Sequence, residues 1–152
     1  MRVAVGSDER TVLTDVVLSC LQQRGMEVTL YGPLAGEALA WPDVAHRVAE
    51  SVRQGHCQEG ILFCWTGTGV SIAANKVPGV RAALCGDAET ARGARRWNHA
   101  NVLVMSLRTT SPAIAEEILD AWSSTPFGPG EDEANVAKIT EIEAKYQLAP
   151  RR

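Results

Sequence analysis

The amino-acid sequence predicts a doubly wound α/β domain, in which a Rossmann-like parallel five-stranded sheet carries helices on both faces. Short apolar runs alternate along the chain with segments of helical spacing, the order that a parallel sheet with crossover helices requires. The central runs are apolar on both faces, as buried parallel strands are. A length of 152 residues, with 45% hydrophobic and 22% charged residues, fits one domain with a substantial core.

The strands are predicted from runs rich in β-branched residues that end at glycine or at another turn residue. The third run, GILFC, leads directly into a turn of glycine and threonine. The predicted strands span 2–6, 27–32, 60–64, 80–85 and 101–105.

The helices are predicted from apolar residues three and four positions apart. One helix begins at Trp41–Pro42 and ends at Gly55, and another has Ser111 as its N-cap and Pro112 in its first turn. The predicted helices that follow strands span 10–24, 41–55, 70–76, 87–98 and 111–125.

The C-terminal segment, 128–152, is assigned to the same domain as 1–127 and contains a predicted helix over about 131–147. This helix follows a break rich in proline and glycine, and its apolar positions are sparse for a core helix. We therefore expect it to pack on a second subunit.

Composition excludes several classes of protein. A formal net charge of −3 without a cluster of lysine and arginine argues against a nucleic-acid partner. No stretch is apolar enough for a signal peptide or a membrane span, so we expect a cytoplasmic protein without a membrane partner. The four cysteines have neither a CxxC pair nor zinc spacing, which predicts free thiols and no metal.

Polar side chains follow the strands of the predicted sheet, where ligands of doubly wound folds bind. Asp8 and Glu9 follow the first strand, Cys64 ends the third, and Arg108 follows the fifth. The TGTG turn, residues 66–69, lies between Cys64 and a helix, so its N–H groups could hold an anion or an enolate oxygen. It has neither the lysine nor the spacing of a P-loop, and a tight turn that needs glycine explains it equally well.

These residues suggest thiol chemistry. A thiol beside an electropositive turn is favoured as thiolate, which can act as a nucleophile or remove a proton next to a carbonyl group. A nucleophilic thiol usually pairs with histidine, and His99, between a helix and the fifth strand, could reach the rim. Asp8 could bind hydroxyl groups or cap the following helix, and Arg108 could bind an anion or lie in solvent.

Several sequence stretches resemble the ribose-5-phosphate isomerase B and galactose-6-phosphate isomerase family in order and spacing. They are GSD after the first strand, WPDVAHRVAESV, GILFCWTGTGVSIAANKVPGVRAALC, NHANVLVMS with the arginine two positions later, and AEEILDAWSSTPF. The resemblance covers about residues 2 to 127, and its most specific part runs from Gly60 to Cys85.

The resemblance implies an aldose–ketose isomerase without a cofactor, acting on a sugar or a sugar phosphate. It implies that Cys64 moves a proton between C1 and C2 through a cis-enediolate and that Thr66 assists at the oxygens. Asp8 and Asn98 would handle the sugar hydroxyl groups, and Arg108 would contact a phosphate.

The resemblance also assigns the oxyanion site and the assembly. The oxyanion would lie at the turn after Thr66, formed by Gly67, Thr68, Gly69, Val70 and Ser71. Family members are dimers, some paired into tetramers, whose active sites borrow residues from the partner subunit.

The chain departs from the family pattern at residues expected to line the substrate site. Glu9 stands where the family has a histidine, Trp97 where it has the ring-opening histidine, and Trp65 where it has a glycine. Trp41 replaces a tyrosine, and His99 replaces an acidic residue, from which it could recover part of the ring-opening role.

Two phosphate-binding arginines of the family are also replaced, by Glu131 and Asn135. Because arginine is always charged, this exchange turns attraction for a phosphate into repulsion, at roughly 4 kcal/mol for two charges about 4 Å apart. The sequence therefore predicts altered specificity, away from ribose 5-phosphate.

Three hypotheses remain open. The first is an isomerase of an open-chain, short or non-phosphorylated sugar. The second retains a phosphosugar and binds it through Arg108 and other arginines such as Arg10 or Arg95. The third is a non-catalytic or partner-dependent subunit, or a sugar-binding module, of the same fold.

Overall fold

The computed structural model describes residues 1–126 and 132–147. Five strands form one sheet, and every pairing in it is parallel. The strands are β1 (Arg2–Ser7), β2 (Glu27–Tyr31), β3 (Glu59–Cys64), β4 (Ala82–Leu84) and β5 (Val102–Ser106), in the order β2-β1-β3-β5-β4. The predicted sheet is confirmed.

Helices cover both faces of this sheet. They are α1 (Val12–Gln23), α2 (Trp41–Arg53), α3 (Thr68–Ala74), α4 (Ala88–Asn98), α5 (Pro112–Ser124) and α6 (Glu133–Gln147). Apolar residues of α1, α4 and α5 form one buried cluster with the sheet, and those of α2 and α3 form a second cluster on the opposite face. The doubly wound architecture is therefore confirmed.

The element boundaries differ from the predictions in ways that local geometry explains. Helix α3 begins at Thr68, two residues early, because Gly67 takes a left-handed conformation with φ of 77° and caps it. Strand β4 pairs only over Ala82–Leu84, since the chain turns at Pro78–Gly79 just before it. The sequence also did not reveal the 3-10 turn at Gly32–Ala35, which connects β2 to the segment before α2.

Helix α6 contributes no buried residue to the fold. It contacts α4, and the carboxylate oxygens of Glu143 accept the N–H of Gly79 at 3.1 Å. Ile142 and Tyr146 are 58% and 68% exposed. The packing of this helix on a partner subunit stays a prediction, and its exposed apolar side chains favour that prediction.

Candidate active site

A cavity of about 280 Å³ lies at the carboxyl edge of the sheet, between the ends of β1 and β3. The strand order reverses between these two strands, so this is where a doubly wound sheet opens a crevice. The cavity is lined by Asp8, Trp41, Cys64, Trp65, Thr66, Thr68 and Gly69. Seven of the residues selected from the sequence are thus brought together.

Cys64 is the last residue of β3 and is only 6% exposed. It pairs with Ser106 of β5, and its carbonyl accepts the N–H of Leu107 at 3.0 Å. Backbone pairing therefore continues past the strand end and fixes the thiol at the floor of the cavity. Cys64 is a free thiol, as are Cys20, Cys57 and Cys85.

The glycine turn is held by close packing. A Cβ atom on Gly67 would lie 2.6 Å from Cδ1 of Leu84 and 3.3 Å from the backbone of Met105, so this position admits only glycine. The hydroxyl oxygens of Thr66 and Thr68 lie 2.7 Å apart and share a hydrogen bond at the cavity. The turn needs glycine for its geometry, and that geometry places two hydroxyl groups beside the thiol.

The donors of this turn come from its backbone. The Ser71 N–H donates to the carbonyl of Gly67 at 3.2 Å and so belongs to the helix. The N–H groups of Thr68, Gly69 and Val70 form the first helical turn, where no intrahelical acceptor exists. The side chain of Val70 is buried in the core, so only its backbone faces this region.

Asp8 lines the cavity and does not cap the following helix. The N-cap of α1 is Thr11, which forms a capping box with Thr14. Partial burial raises the pKa of the Asp8 carboxyl, a hydrogen bond from its own backbone N–H lowers it, and the charge of Glu9 raises it further. Glu9 itself is exposed beside the cavity.

Two tryptophans form the walls of the cavity. The ring of Trp41, at the start of α2, packs on Gly69, where an added Cβ atom would lie 3.1 Å from the ring. Trp65 follows Cys64 and is 59% exposed. Indole rings at these positions narrow the cavity and present apolar surface to its contents or to another chain.

Arg108 lies at the same edge but not in the cavity. Its N–H donates to the carbonyl of Trp65 at 2.9 Å, and its side chain is exposed. Within the described residues that line the cavity, none is cationic.

The remaining predicted residues lie at the opposite edge of the sheet. Trp97 and Asn98 end α4, and His99 follows it, just before β5 begins at Val102. Val102 lies beside Gly60 at the start of β3. Gly60 is four residues before Cys64, a distance of roughly 13 Å along the strand. Asn98 lines a separate cleft of about 360 Å³ between α6 and β4. One chain therefore does not bring Asn98 or His99 to its own Cys64.

Sequence reasoning missed Arg81 and considered Arg95 only as an arginine for a phosphosugar, whereas both side chains support the turn at residues 98–99. Nε of Arg81 donates to the carbonyl of His99 at 2.8 Å, and Nη1 of the buried Arg95 donates to that of Ala100 at 2.9 Å. The place of this turn could have been predicted from its order in the sequence, because residues that precede a parallel strand must lie at the amino end of that strand. Glu131 lies outside the described residues, and Asn135 is exposed on α6, where it donates to Asp132.

Metal-binding clusters and membrane-spanning helices are both absent from the described residues, 1–126 and 132–147. No group of three or more His, Cys, Asp or Glu side chains there could hold a metal ion. None of the helices in that part of the chain is long and apolar enough to cross a membrane.

Residues 3–139 match the model of a protein family described as ribose/galactose isomerase. This chain belongs to the ribose/galactose isomerase family. Its members are aldose–ketose isomerases that act on sugar phosphates, and the resemblance seen in the sequence is confirmed.

Relatives within the ribose/galactose isomerase family match over nearly their whole length. The chain is 40% identical to the D-erythrulose-4-phosphate isomerase of Pectobacterium atrosepticum, covering 97% of this chain and 99% of that one. It is 36% identical to the ribose-5-phosphate isomerase B of Escherichia coli, covering 95% and 97%.

Solved structures show the same fold. The ribose-5-phosphate isomerase B of Clostridium thermocellum superposes with a TM-score of 0.89 at 40% identity, covering 96% of this chain and 99% of that one. The Mycoplasma genitalium enzyme with bound ribulose 5-phosphate gives a TM-score of 0.86 at 33% identity, covering 95% and 97%.

Proposed function

We propose that this isomerase interconverts a short, open-chain sugar phosphate between its ketose and aldose forms, with Cys64 as the base. The observation that carries this proposal is the junction of Cys64, the threonine pair of the glycine turn and Asp8 in one cavity. A thiolate there can take a proton from carbon, and donors for the resulting oxyanion lie next to it.

The reaction balances without a cofactor. Cys64 as thiolate removes a proton from C1 of the ketose, and the electron pair forms the C1–C2 double bond of a cis-enediolate with the charge on O2. The first-turn N–H groups of α3 and the Thr66 hydroxyl stabilise that charge. The thiol then returns the proton to C2, while the O1 proton moves to O2 through Thr66, which leaves an aldehyde at C1.

The proposed substrate is a tetrulose 4-phosphate. One relative of this chain is named for D-erythrulose 4-phosphate and others for ribose 5-phosphate. A sugar phosphorylated on O4 cannot close a five-membered ring through that oxygen, so it needs no ring-opening histidine. Trp97 in place of that histidine, and Trp65 beside Cys64, both favour a short open-chain substrate over a pentofuranose.

The site is proposed to be completed by a second copy of the chain. Asn98 and His99 lie at the far edge of the sheet, and the cavity has no cationic lining residue among the described ones. A homodimer that places the Asn98 turn of one subunit over the Cys64 cavity of the other would join the two halves. Apolar side chains left exposed at both places, such as Trp65 and Trp97, are suited to that contact.

The test is conversion of D-erythrulose 4-phosphate, ribulose 5-phosphate and free erythrulose, followed by NMR. We expect the tetrulose phosphate to give the highest kcat/KM and Cys64→Ala to lose at least about 10³-fold of it. Cys85→Ala is the matched control, because it also removes a buried thiol. Burial raises the pKa of the Cys85 thiol to about 12.

Other outcomes would change the proposal. Preference for ribulose 5-phosphate would contradict the substrate assignment and leave the chemistry in place. A folded homodimer that is inactive on all three compounds would instead favour a partner-dependent subunit or a sugar-binding module. Activity that survives in Cys64→Ala would reject Cys64 as the base.

A further inference from the structure

The turn that carries Asn98 contains an unusual backbone conformation. His99 has φ of 48°, and among the described residues it is the only one other than glycine with a positive φ. His99 is the C-cap of α4, and a left-handed residue commonly ends a helix, although glycine usually occupies that position. A side chain there costs free energy, so hydrogen bonds around the turn must impose the conformation.

Arg81 supplies one of the contacts that impose it. Its Nε donates to the carbonyl of His99 at 2.8 Å, which fixes the peptide plane on the C-terminal side of the strained residue. In the same peptide group, the N–H of Ala100 donates to the carbonyl of Ala94 at 3.0 Å. Both polar atoms of the peptide group that follows His99 are therefore held by hydrogen bonds.

Arg81 is itself anchored along its length. Its backbone N–H donates to Oδ1 of Asn101 at 2.8 Å, and Nδ2 of Asn101 donates to the carbonyl of Gly79 at 2.9 Å. The N–H of Gly79 in turn donates to the carboxylate of Glu143 on α6. These hydrogen bonds connect the C-terminal helix to the turn. Because a hydrogen bond depends on the direction between donor and acceptor, they restrain the orientation of the turn.

We infer that Arg81 is a positioning residue, which holds the His99 turn so that Asn98 projects from the chain toward the active site of a second copy. Arg81 does not touch the substrate in this account. Asn98 is exposed and lines the same cleft as Arg81 and Glu143, so the supporting residues lie close to the residue that is presented. The inference rests on the proposed function and its shared site, and goes beyond it by assigning a role to Arg81.

The first consequence concerns kinetics and structure. Arg81→Gln should lower kcat by about 10- to 100-fold, because a misplacement of about 1 Å at a reacting group has an effect of that size. Arg92→Gln, which removes an exposed arginine of α4 paired with Glu89, should leave kcat unchanged. A crystal structure of Arg81→Gln should show His99 outside the left-handed region. An unchanged turn in that structure would overturn the inference whatever the activity.

The second consequence distinguishes positioning from general damage. A heterodimer of Arg81→Gln with Cys64→Ala, isolated through two different tags, has one site that combines an intact cavity with an intact turn. It should recover about half of the wild-type activity, as expected for one of two equivalent sites in a dimer. If Arg81 acted within its own subunit, the heterodimer would show at most half of the low Arg81→Gln activity, and the inference would fail.

A second heterodimer, of Asn98→Ala with Cys64→Ala, tests the shared active site separately from the role of Arg81. Recovery in this pair without recovery in the Arg81→Gln pair would reject the role of Arg81 and leave the shared site standing. No recovery in the Asn98→Ala pair would reject the shared site, and with it the inference. Recovery of about half in both pairs supports both.

Discussion

The two edges of the sheet are stabilised by different interactions. At the carboxyl edge, the Cys64 cavity depends on close approach, with Gly67 against Leu84 and Gly69 against Trp41. At the amino edge, a buried ion pair joins Nη2 of Arg95 to Glu59 at 2.8 Å. At the carboxyl edge, close packing around two glycines adds to the backbone hydrogen bonds that fix Cys64, whereas at the amino edge a buried charged side chain supports the Asn98 turn.

The charged cluster connects several elements at the amino edge. Nε1 of Trp122 donates to Glu59 at 2.9 Å, and the guanidinium of Arg95 lies 4.7 Å from the centroid of the Trp122 ring. Nε of Arg95 also donates to the carbonyl of Thr125 at 3.1 Å. One buried cation thus links the starts of β3 and β5 to the end of α5.

The largest effect is expected from breaking this cluster. Glu59→Gln removes the negative charge that lies 2.8 Å from the buried Arg95 and should lower the free energy of unfolding by about 3–5 kcal/mol. Glu89→Gln is the control, since its ion pair with Arg92 is exposed and should contribute less than about 1 kcal/mol. Urea denaturation measures both. Equal effects would show that the buried cluster is not a main support of this edge.

At the carboxyl edge the corresponding change is steric. Gly67→Ala forces a side chain into a positive φ and against Leu84, which should cost about 2–3 kcal/mol and lower activity by displacing Thr66 and Thr68. Gly86→Ala is the matched control, because a Cβ there meets no atom within 4 Å. Thermal unfolding of both variants provides the comparison, and a tolerated Gly67→Ala would contradict the close-packed description of the turn.

A smaller effect is expected on specificity. Trp65→Gly opens the wall beside Cys64 and should raise kcat/KM for ribulose 5-phosphate relative to D-erythrulose 4-phosphate by about 10-fold. Steady-state kinetics with both compounds measures the ratio. An unchanged ratio would mean that Trp65 covers the subunit contact without limiting the length of the substrate.

The smallest effect is expected from Asp8. Burial raises the pKa of this carboxyl, so its ionised form weakens the folded state at neutral pH. Asp8→Asn should therefore be more stable than the wild type at pH 7 by less than about 1 kcal/mol. The difference should shrink as the pH falls through the raised folded-state pKa and disappear well below the unfolded-state pKa of about 3.9, where Asp8 is neutral in both states. Denaturation curves at several pH values test the sign.

Much of this fold could be predicted because its signals are local. The alternation of strand and helix periods predicted every strand and α-helix that the structure describes, and Ser111 caps α5 through the N–H of Ile114 as expected. The 3-10 turn at Gly32–Ala35 could not be predicted, since it depends on how the chain passes from β2 toward α2.

The candidate site was predictable in part. Cys64, Asp8 and the glycine turn were found because the ends of neighbouring parallel strands meet at one edge. Whether His99 reaches the rim could not be decided from the sequence, because nearness to the fifth strand does not say which end of the strand is near. His99 precedes β5, so within one chain it lies at the amino edge. The contacts of Arg81 join residues 18 positions apart and leave no periodic signal.

The most direct test of the account is deuterium incorporation during turnover of D-erythrulose 4-phosphate in D2O. A base that removes the C1 proton exchanges it with solvent, so NMR should show deuterium at C1 of the remaining ketose or at C2 of the aldose. We expect this exchange in the wild type and in Cys85→Ala, and its loss in Cys64→Ala. Exchange that persists in Cys64→Ala would contradict the central claim that the Cys64 thiol is the base.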